Sequence, residues 1–149
     1  MRHSGQCHCG TVAASFDTAK TPTSLGVRSC QCAFCQRHGA LNVSDPEGCI
    51  EIDAAADDVI RYRFALKTAD FLICRHCGVY VAAVSGRGEA IVSTINIVGL
   101  AMAGFADAPL APMDYEAETT EDRVARRNAK WTPTKFLNPE LAAAHFGPH

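Results

Sequence analysis

Cys30-Gln31-Cys32-Ala33-Phe34-Cys35 places three thiols within six residues, and this stretch decides how the rest of the chain is organised. Thiolates bind zinc well, and zinc prefers four tetrahedral ligands. Three ligands from one loop therefore leave one position to fill. The group at that position decides whether the site is a structural clip or a reactive centre.

Seven of the eight cysteines fall into three short groups: Cys7 and Cys9; Cys30, Cys32 and Cys35; Cys74 and Cys77. In a reducing cytosol, clustered thiols are more often metal ligands or catalysts than disulfides. Four disulfides in an exported protein are the alternative, but the C-x-C spacing is too tight for easy bridging. We also see no secretory signal before the first cysteines. The pattern favours metal in a cytoplasmic protein.

The composition excludes two classes of partner. The 149 residues are 48% apolar with a net charge of −2, which fits one modest core. A nucleic-acid binder would usually carry a basic excess, so we expect no nucleic acid. The longest apolar run, 95–105, is interrupted by Asn96 and glycines and is too short to span a bilayer. We therefore expect no membrane span. The sequence does not decide whether the chain forms a homo-oligomer.

Short alternating segments separated by turns predict a β-rich fold. We expect strands at 11–16, 25–29, 49–52, 59–64 and 89–98, and a hairpin of 71–74 with 79–84 whose tip is a C-x-x-C knuckle. Residues 34–38 predict one helical turn ended by Gly39, and 99–112 predict irregular structure. Thr119 and Asp122 predict the start of a helix over 119–130. We divide the chain into a zinc-binding β domain, 1–112, and a helix and tail, 113–149, packed on it.

Counting the thiols predicts two metal sites. Cys7, Cys9, Cys74 and Cys77 make a closed structural zinc site of four thiolates. The triad of Cys30, Cys32 and Cys35 then remains with an open position, as catalytic zinc sites have. A thiol bound there loses its proton more easily, because the cation stabilises the anion.

Two alternatives remain for the triad. His38 follows Cys35 at ligand spacing and could close a structural site, which would make the protein a non-catalytic zinc module that binds a protein partner. The triad could also lose zinc and form a disulfide as a redox switch.

Some residues near the cysteines have less specific readings. Arg37 could anchor a substrate carboxylate or be simply solvated. His8 and His76 are expected at the surface or hydrogen-bonded to thiolates, and Cys49 in the core. The arginines of the predicted helix are expected to lie on a solvated face, and the alternative is that one of them contacts an anionic ligand. They are Arg123, Arg126 and Arg127.

The motifs Gly5-Gln6-Cys7-His8-Cys9-Gly10, then Cys30-x-Cys32-x-x-Cys35-Gln36-Arg37, then Phe71-x-x-Cys74-x-x-Cys77-Gly78 occur in this order. This arrangement resembles the glutathione-dependent formaldehyde-activating enzyme family, which also includes centromere protein V. The resemblance implies an Mss4-like fold of packed antiparallel sheets held by zinc, with a structural zinc on the outer four cysteines. It also implies a catalytic zinc on the middle three, which can be metal-poor.

The activity that the resemblance implies is that of a carbon–sulfur lyase, similar to S-(hydroxymethyl)glutathione synthase. Its substrate would be the adduct of glutathione, or a related thiol, with formaldehyde or a related aldehyde. Gln31 stands where the family usually has His, and Ala40 and Val79 stand where it often has Ser. We predict that Gln31 and Arg37 contact the substrate.

Overall fold

The computed structural model describes residues 1–148 and is dominated by strands. The strands are β1 (Arg2–Gln6), β2 (Ala13–Asp17), β3 (Val27–Cys30), β4 (Asn42–Val43), β5 (Cys49–Asp53), β6 (Val59–Tyr62), β7 (Asp70–Cys74), β8 (Tyr80–Arg87), β9 (Val92–Asn96), β10 (Leu110–Met113), β11 (Thr132–Phe136) and β12 (His145–Phe146). The α-helices are α1 (Pro22–Leu25), α2 (Ala33–His38), α3 (Thr120–Lys130) and α4 (Pro139–Ala142). Two 3-10 turns, Ala56–Asp58 and Gly88–Ala90, complete the set.

The strands form two sheets that share one junction. One runs β1-β2-β5-β11, and the other runs β6-β7-β8-β9-β4-β3-β10 with β12 added beside β8. Strands β11 and β9 join them, with Thr132 opposite Ser93 and Pro133 opposite Val92. Most neighbours are antiparallel as predicted, but β10 runs parallel to β3 and β11 runs parallel to β5. The predicted β-rich architecture with a C-terminal helix is therefore confirmed, as a mixed sheet.

Local signals predicted most elements correctly. The hairpin of β7 and β8 forms around the C-x-x-C knuckle. Helix α3 begins after Thr119, whose hydroxyl accepts a hydrogen bond from the Asp122 amide at 3.1 Å. Gly39 ends α2 in the left-handed conformation that favours glycine, with φ of 57°. The prediction of irregular structure over 99–112 is wrong at its end, because Leu110 begins β10.

The core explains how the site is supported. Alternating side chains of β2 and β5, such as Phe16, Ile50 and Ile52, are fully buried in the main apolar cluster. A second, smaller cluster contains Cys35, Tyr80 and Trp131. This second cluster lies beneath the cysteine triad and joins it to both the sheet and the end of α3.

The carboxy-terminal segment is interleaved with the β-rich part. Strand β11 bridges the two sheets, and Trp131 is buried in the second cluster. The predicted division into 1–112 and 113–149 stays a prediction. The last residue of the second part, His149, lies outside the described residues. No helix within residues 1–148 is long and apolar enough to cross a bilayer.

Candidate functional site

The outer cysteines lie at the tips of two hairpins. Cys7 and Cys9 occupy the turn between β1 and β2, whereas Cys74 ends β7 and Cys77 lies in the turn between β7 and β8. The second turn closes with the Gly78 amide donating to the Cys74 carbonyl at 2.9 Å. Gly78 has a φ of 76°, which glycine adopts without strain. The local sequence therefore aims two pairs of sulfurs at one point.

The sulfur spacing of this outer cluster fits zinc. All four sulfurs lie within 4.8 Å of one another, with 3.7 Å between Cys7 and Cys9 and 3.6 Å between Cys9 and Cys74. A zinc–sulfur bond of about 2.3 Å in a tetrahedron gives a sulfur–sulfur edge of about 3.8 Å. The Val12 amide donates to the Cys7 sulfur at 3.3 Å. The Thr11 hydroxyl, 3.1 Å from the Cys9 sulfur, lowers the pKa of Cys9 to about 6. The contact with Thr11 favours the Cys9 thiolate.

The triad is assembled across a strand end and a short helix. Cys30 ends β3, Cys32 caps the start of α2, and Cys35 is buried in the first turn of that helix. The Cys32 sulfur accepts a hydrogen bond from the Cys35 amide at 3.4 Å. The three sulfurs lie within 4.8 Å of one another, so these residues could hold a metal ion together.

The three thiols of the triad differ in their pKa values. Hydrogen bonds from the thiols of Cys30 and Cys35 hold the pKa of Cys32 well below its usual range. The contact with Cys32 raises the pKa of Cys30, and the contacts with Cys30 and Cys32 raise the pKa of Cys35. One thiolate is therefore favoured beside two thiols, and a bound cation would favour loss of the other protons. The donor set of three sulfurs suits a soft ion such as zinc.

His38 does not join the triad. Within residues 1–148, the group of candidate ligands at this point contains only the three cysteines. The His38 ring instead lies 4.5 Å from the Phe34 ring and 5.8 Å from the Tyr80 ring, measured between centroids. Closure of the site by His38, which the non-catalytic alternative requires, is absent from this arrangement.

The triad opens onto a cavity of about 810 Å³. This volume lies in the range of small-molecule sites, which bury most of a ligand in a concave and largely apolar surface. The predicted substrate contacts, Gln31 and Arg37, also line it, although both side chains are exposed. Gln31 is engaged locally, since its amide donates to the Ser29 carbonyl at 3.0 Å. A role in substrate binding for these two residues stays a prediction.

One wall of the cavity is aromatic. Phe34 follows Cys32 by two residues, and its ring lies 5.2 Å from Phe64 and 5.0 Å from Phe71. Tyr62 stacks against Phe34 with 5.8 Å between centroids. These side chains give the cavity an apolar lining beside the triad, and a less polar environment strengthens electrostatic interactions.

The opposite wall comes from the carboxy-terminal segment, which the sequence did not tie to the cysteines. The lining residues between 114 and 131 are Asp114, Tyr115, Glu116, Glu118, Arg123, Arg126, Arg127 and Trp131. The signal that could have found them is the run of three arginines on α3, since a buried arginine usually has a specific partner.

Two comparisons with known proteins agree with this architecture. A family model described as glutathione-dependent formaldehyde-activating enzyme matches residues 2–112. The chain belongs to the glutathione-dependent formaldehyde-activating enzyme family. The crystal structure of a Rhodobacter sphaeroides protein superposes with a TM-score of 0.51 at 24% identity, over 72% of this chain and 99% of that one. The second comparison supports the fold alone.

The family match ends at residue 112, before the arginine-bearing wall begins. Both cysteine clusters of this family member lie within the matched region, whereas Arg127 and Trp131 lie beyond it. The cysteine frame is therefore what the chain shares with the family model. The wall of residues 114–131 belongs to the part that the model does not cover.

The remaining predicted residues lie away from the cavity. His8 is exposed, and the His76 ring lies 2.7 Å from an Asp58 carboxylate oxygen rather than at a sulfur. Cys49 is half-buried in β5 and belongs to neither cysteine cluster. It offers a cysteine that can be replaced without touching either candidate metal site.

Proposed function

We propose that this protein is a zinc-dependent carbon–sulfur lyase that forms and cleaves the adduct of a thiol with an aldehyde. Membership of the family supports glutathione and formaldehyde as the thiol and the aldehyde. The observation that carries the proposal is the triad of Cys30, Cys32 and Cys35. Its three sulfurs line a cavity large enough for glutathione, and no fourth ligand from residues 1–148 joins them.

The reaction joins the substrate sulfur to the carbonyl carbon of the aldehyde. The thiol proton ends on the former carbonyl oxygen, so the product is a hydroxyalkyl thioether and no other reactant is consumed. Cleavage reverses both changes. Zinc held by the triad would supply a cation that favours the substrate thiol in its thiolate form.

The protein side chains would position the two reactants. The aromatic wall around Phe34 keeps water away from the sulfur and the carbonyl carbon. The cavity wall from 114–131 confines the rest of the thiol substrate, which reduces the entropy lost when the two groups meet. The outer cluster of Cys7, Cys9, Cys74 and Cys77 would hold a structural zinc that ties the two hairpins together.

A cytoplasmic location belongs to the same proposal. The cytosol keeps thiols reduced, and both cysteine clusters need reduced sulfurs to hold zinc. It also supplies glutathione at high concentration to a soluble enzyme.

The test is Cys32→Ser, with Cys49→Ser as the matched control. We expect Cys32→Ser to keep one zinc per chain, on the outer cluster, and to lose the second. Two-dimensional exchange NMR between glutathione and its hydroxymethyl adduct should show the exchange rate falling to the uncatalysed background. Cys49→Ser should keep both metal and rate. Full metal content and full exchange in Cys32→Ser would contradict the proposal.

A further inference from the structure

Arg127 is a buried cation with almost no partners. Its side chain lines the cavity and only 7% of the residue is exposed. Nη1 donates to the Thr68 hydroxyl at 2.6 Å, whereas Nε is buried without any partner. No carboxylate within residues 1–148 forms an ion pair with it. A guanidinium carries five donors, and burying an unpaired charge is costly, so this arrangement calls for a ligand.

The neighbouring arginines of α3 differ in this respect. Arg126 donates to both oxygens of Glu118, from Nε at 2.7 Å and from Nη2 at 3.0 Å. Arg123 donates to the same carboxylate at 3.3 Å. Glu118 is thus occupied by two arginines on its own segment, and the charge of Arg127 is left uncompensated.

A second uncompensated cation lines the same cavity. Arg28 in β3 donates from Nη2 to the Ser44 hydroxyl at 2.7 Å and to the Thr94 hydroxyl at 2.9 Å. Both partners are neutral, and the described part of the chain offers Arg28 no carboxylate at ion-pair distance. Burial lowers the pKa of Arg127, which is the cost expected for a cation held away from water.

We propose that Arg127 binds a carboxylate of the thiol substrate, with Arg28 supplying a second positive charge to the same anion-binding wall. The inference rests on the proposed function and assigns recognition of the carboxylate of the thiol to Arg127, a residue that the family match does not cover. A guanidinium fork matches a carboxylate with two parallel hydrogen bonds. The Trp131 ring, 4.8 Å from the guanidinium carbon, holds that fork in place.

Arg127 lies outside the region matched by the family model, whereas Arg28 and Thr68 lie within it. Arg127 follows the end of the family match by fifteen residues, because the match stops at 112. Its contact Thr68 comes from the loop before β7. Arg127 therefore selects the thiol by its charge, while the triad acts on the sulfur.

The test uses S-methylglutathione, whose capped sulfur has no thiol proton. Binding to the full chain is followed by calorimetry and by the fluorescence of Trp131, the single tryptophan of the sequence. We expect Arg127→Gln to weaken binding by about 10- to 100-fold, the loss typical of a charged hydrogen-bond partner. Arg127→Lys should recover part of it, because the charge remains and the fork is lost.

The control variant is Lys130→Gln, which removes an exposed cation from the same helix. It should bind S-methylglutathione as the wild type does. The dimethyl ester of S-methylglutathione should bind the wild type weakly and should not discriminate between wild type and Arg127→Gln. With glutathione as substrate, Arg127→Gln should raise KM with little change in kcat, which identifies a binding role.

Four results would overturn the proposal: no binding of S-methylglutathione to the wild type, equal binding to Arg127→Gln, equal binding of the dimethyl ester, or an equal loss in Lys130→Gln. These results are separable from failure of the proposed function. A missing second zinc or a missing exchange rate would contradict the lyase without changing the ligand preference of Arg127.

Discussion

Replacement of Arg127 by Met should leave the free energy of unfolding unchanged or slightly raised, although the side chain is buried. The variant loses the hydrogen bond to Thr68, which is itself only 2% exposed. Losing a hydrogen bond from a charged donor, and leaving the buried hydroxyl unpaired, lowers the free energy of unfolding by about 1.5–3 kcal/mol. The contact with Trp131 is largely replaced, because a thioether also packs well on an aromatic ring.

The opposing contribution, which raises the free energy of unfolding, comes from removing a poorly solvated charge. Burial lowers the pKa of Arg127 from 12.5 to about 10, which means that the unfolded chain binds this proton more tightly. That difference destabilises the charged folded state by about 3 kcal/mol at neutral pH. Relief of about 3 kcal/mol equals or slightly exceeds the cost of about 1.5–3 kcal/mol, so we expect Arg127→Met to be about 0–1.5 kcal/mol more stable than the wild type.

Urea denaturation of the zinc-loaded protein without substrate measures this change, and Arg126→Met is the informative comparison. Arg126 is more exposed than Arg127, yet it shares two hydrogen bonds with Glu118 and covers the Tyr115 ring at 3.6 Å. Its removal should cost about 1–2 kcal/mol, since the pair is partly screened by solvent. We therefore expect Arg126→Met to be the less stable variant. A loss above about 3 kcal/mol in Arg127→Met would refute the view that Arg127 is held at a cost for a ligand.

Three further outcomes are expected. Removal of zinc by a chelator should lower the unfolding temperature, because metal bound to the outer cluster contributes to folding. Added zinc should restore the unfolding temperature, whereas added magnesium should not. An unchanged unfolding temperature would count against a structural site. Asp70→Asn should lower the free energy of unfolding by about 2–4 kcal/mol in urea, because Asp70 is fully buried against Arg61 and Arg63, and those guanidiniums can still reach water. The Arg126 guanidinium holds the pKa of Glu118 below its ordinary 4.5, so the stability that Glu118 contributes is complete above that pH and is lost as pH falls through the lower folded-state value. Glu118→Gln should lack this part of the acid-induced loss, and an identical pH profile of urea denaturation would contradict the assignment.

The cysteine frame and the main strands were predictable because their signals are local. Paired thiols beside Gly10 and Gly78 predict metal-binding turns, and the apolar residues of β7 and β8 on either side of the second pair predict a hairpin. Counting sulfurs was enough to separate the outer cluster from the triad, and the structure brings together the same two groups. In each case the information lies within a few residues of the chemistry.

The rest depends on contacts between distant segments. The pairing of β10 with β3 has no local signature, because Leu110–Met113 includes a proline and follows a run of small residues. The role of α3 was equally hidden, since Arg123, Arg126 and Arg127 look alike in sequence. Only packing separates the two that share Glu118 from the one that faces the cavity without a carboxylate.

The parallel pairing of β10 with β3 places Met113 opposite Cys30, and the Gln31 amide donates to the Met113 carbonyl at 2.8 Å. The region matched by the family model ends at residue 112, and the cavity-lining segment 114–131 begins shortly after it, beside Cys30. Residues 114–131 therefore begin at a point that pairing with β3 holds in place. Under the proposed function, substitutions at the cavity-lining arginines of this segment alter substrate preference, while the cysteines of both clusters stay in place.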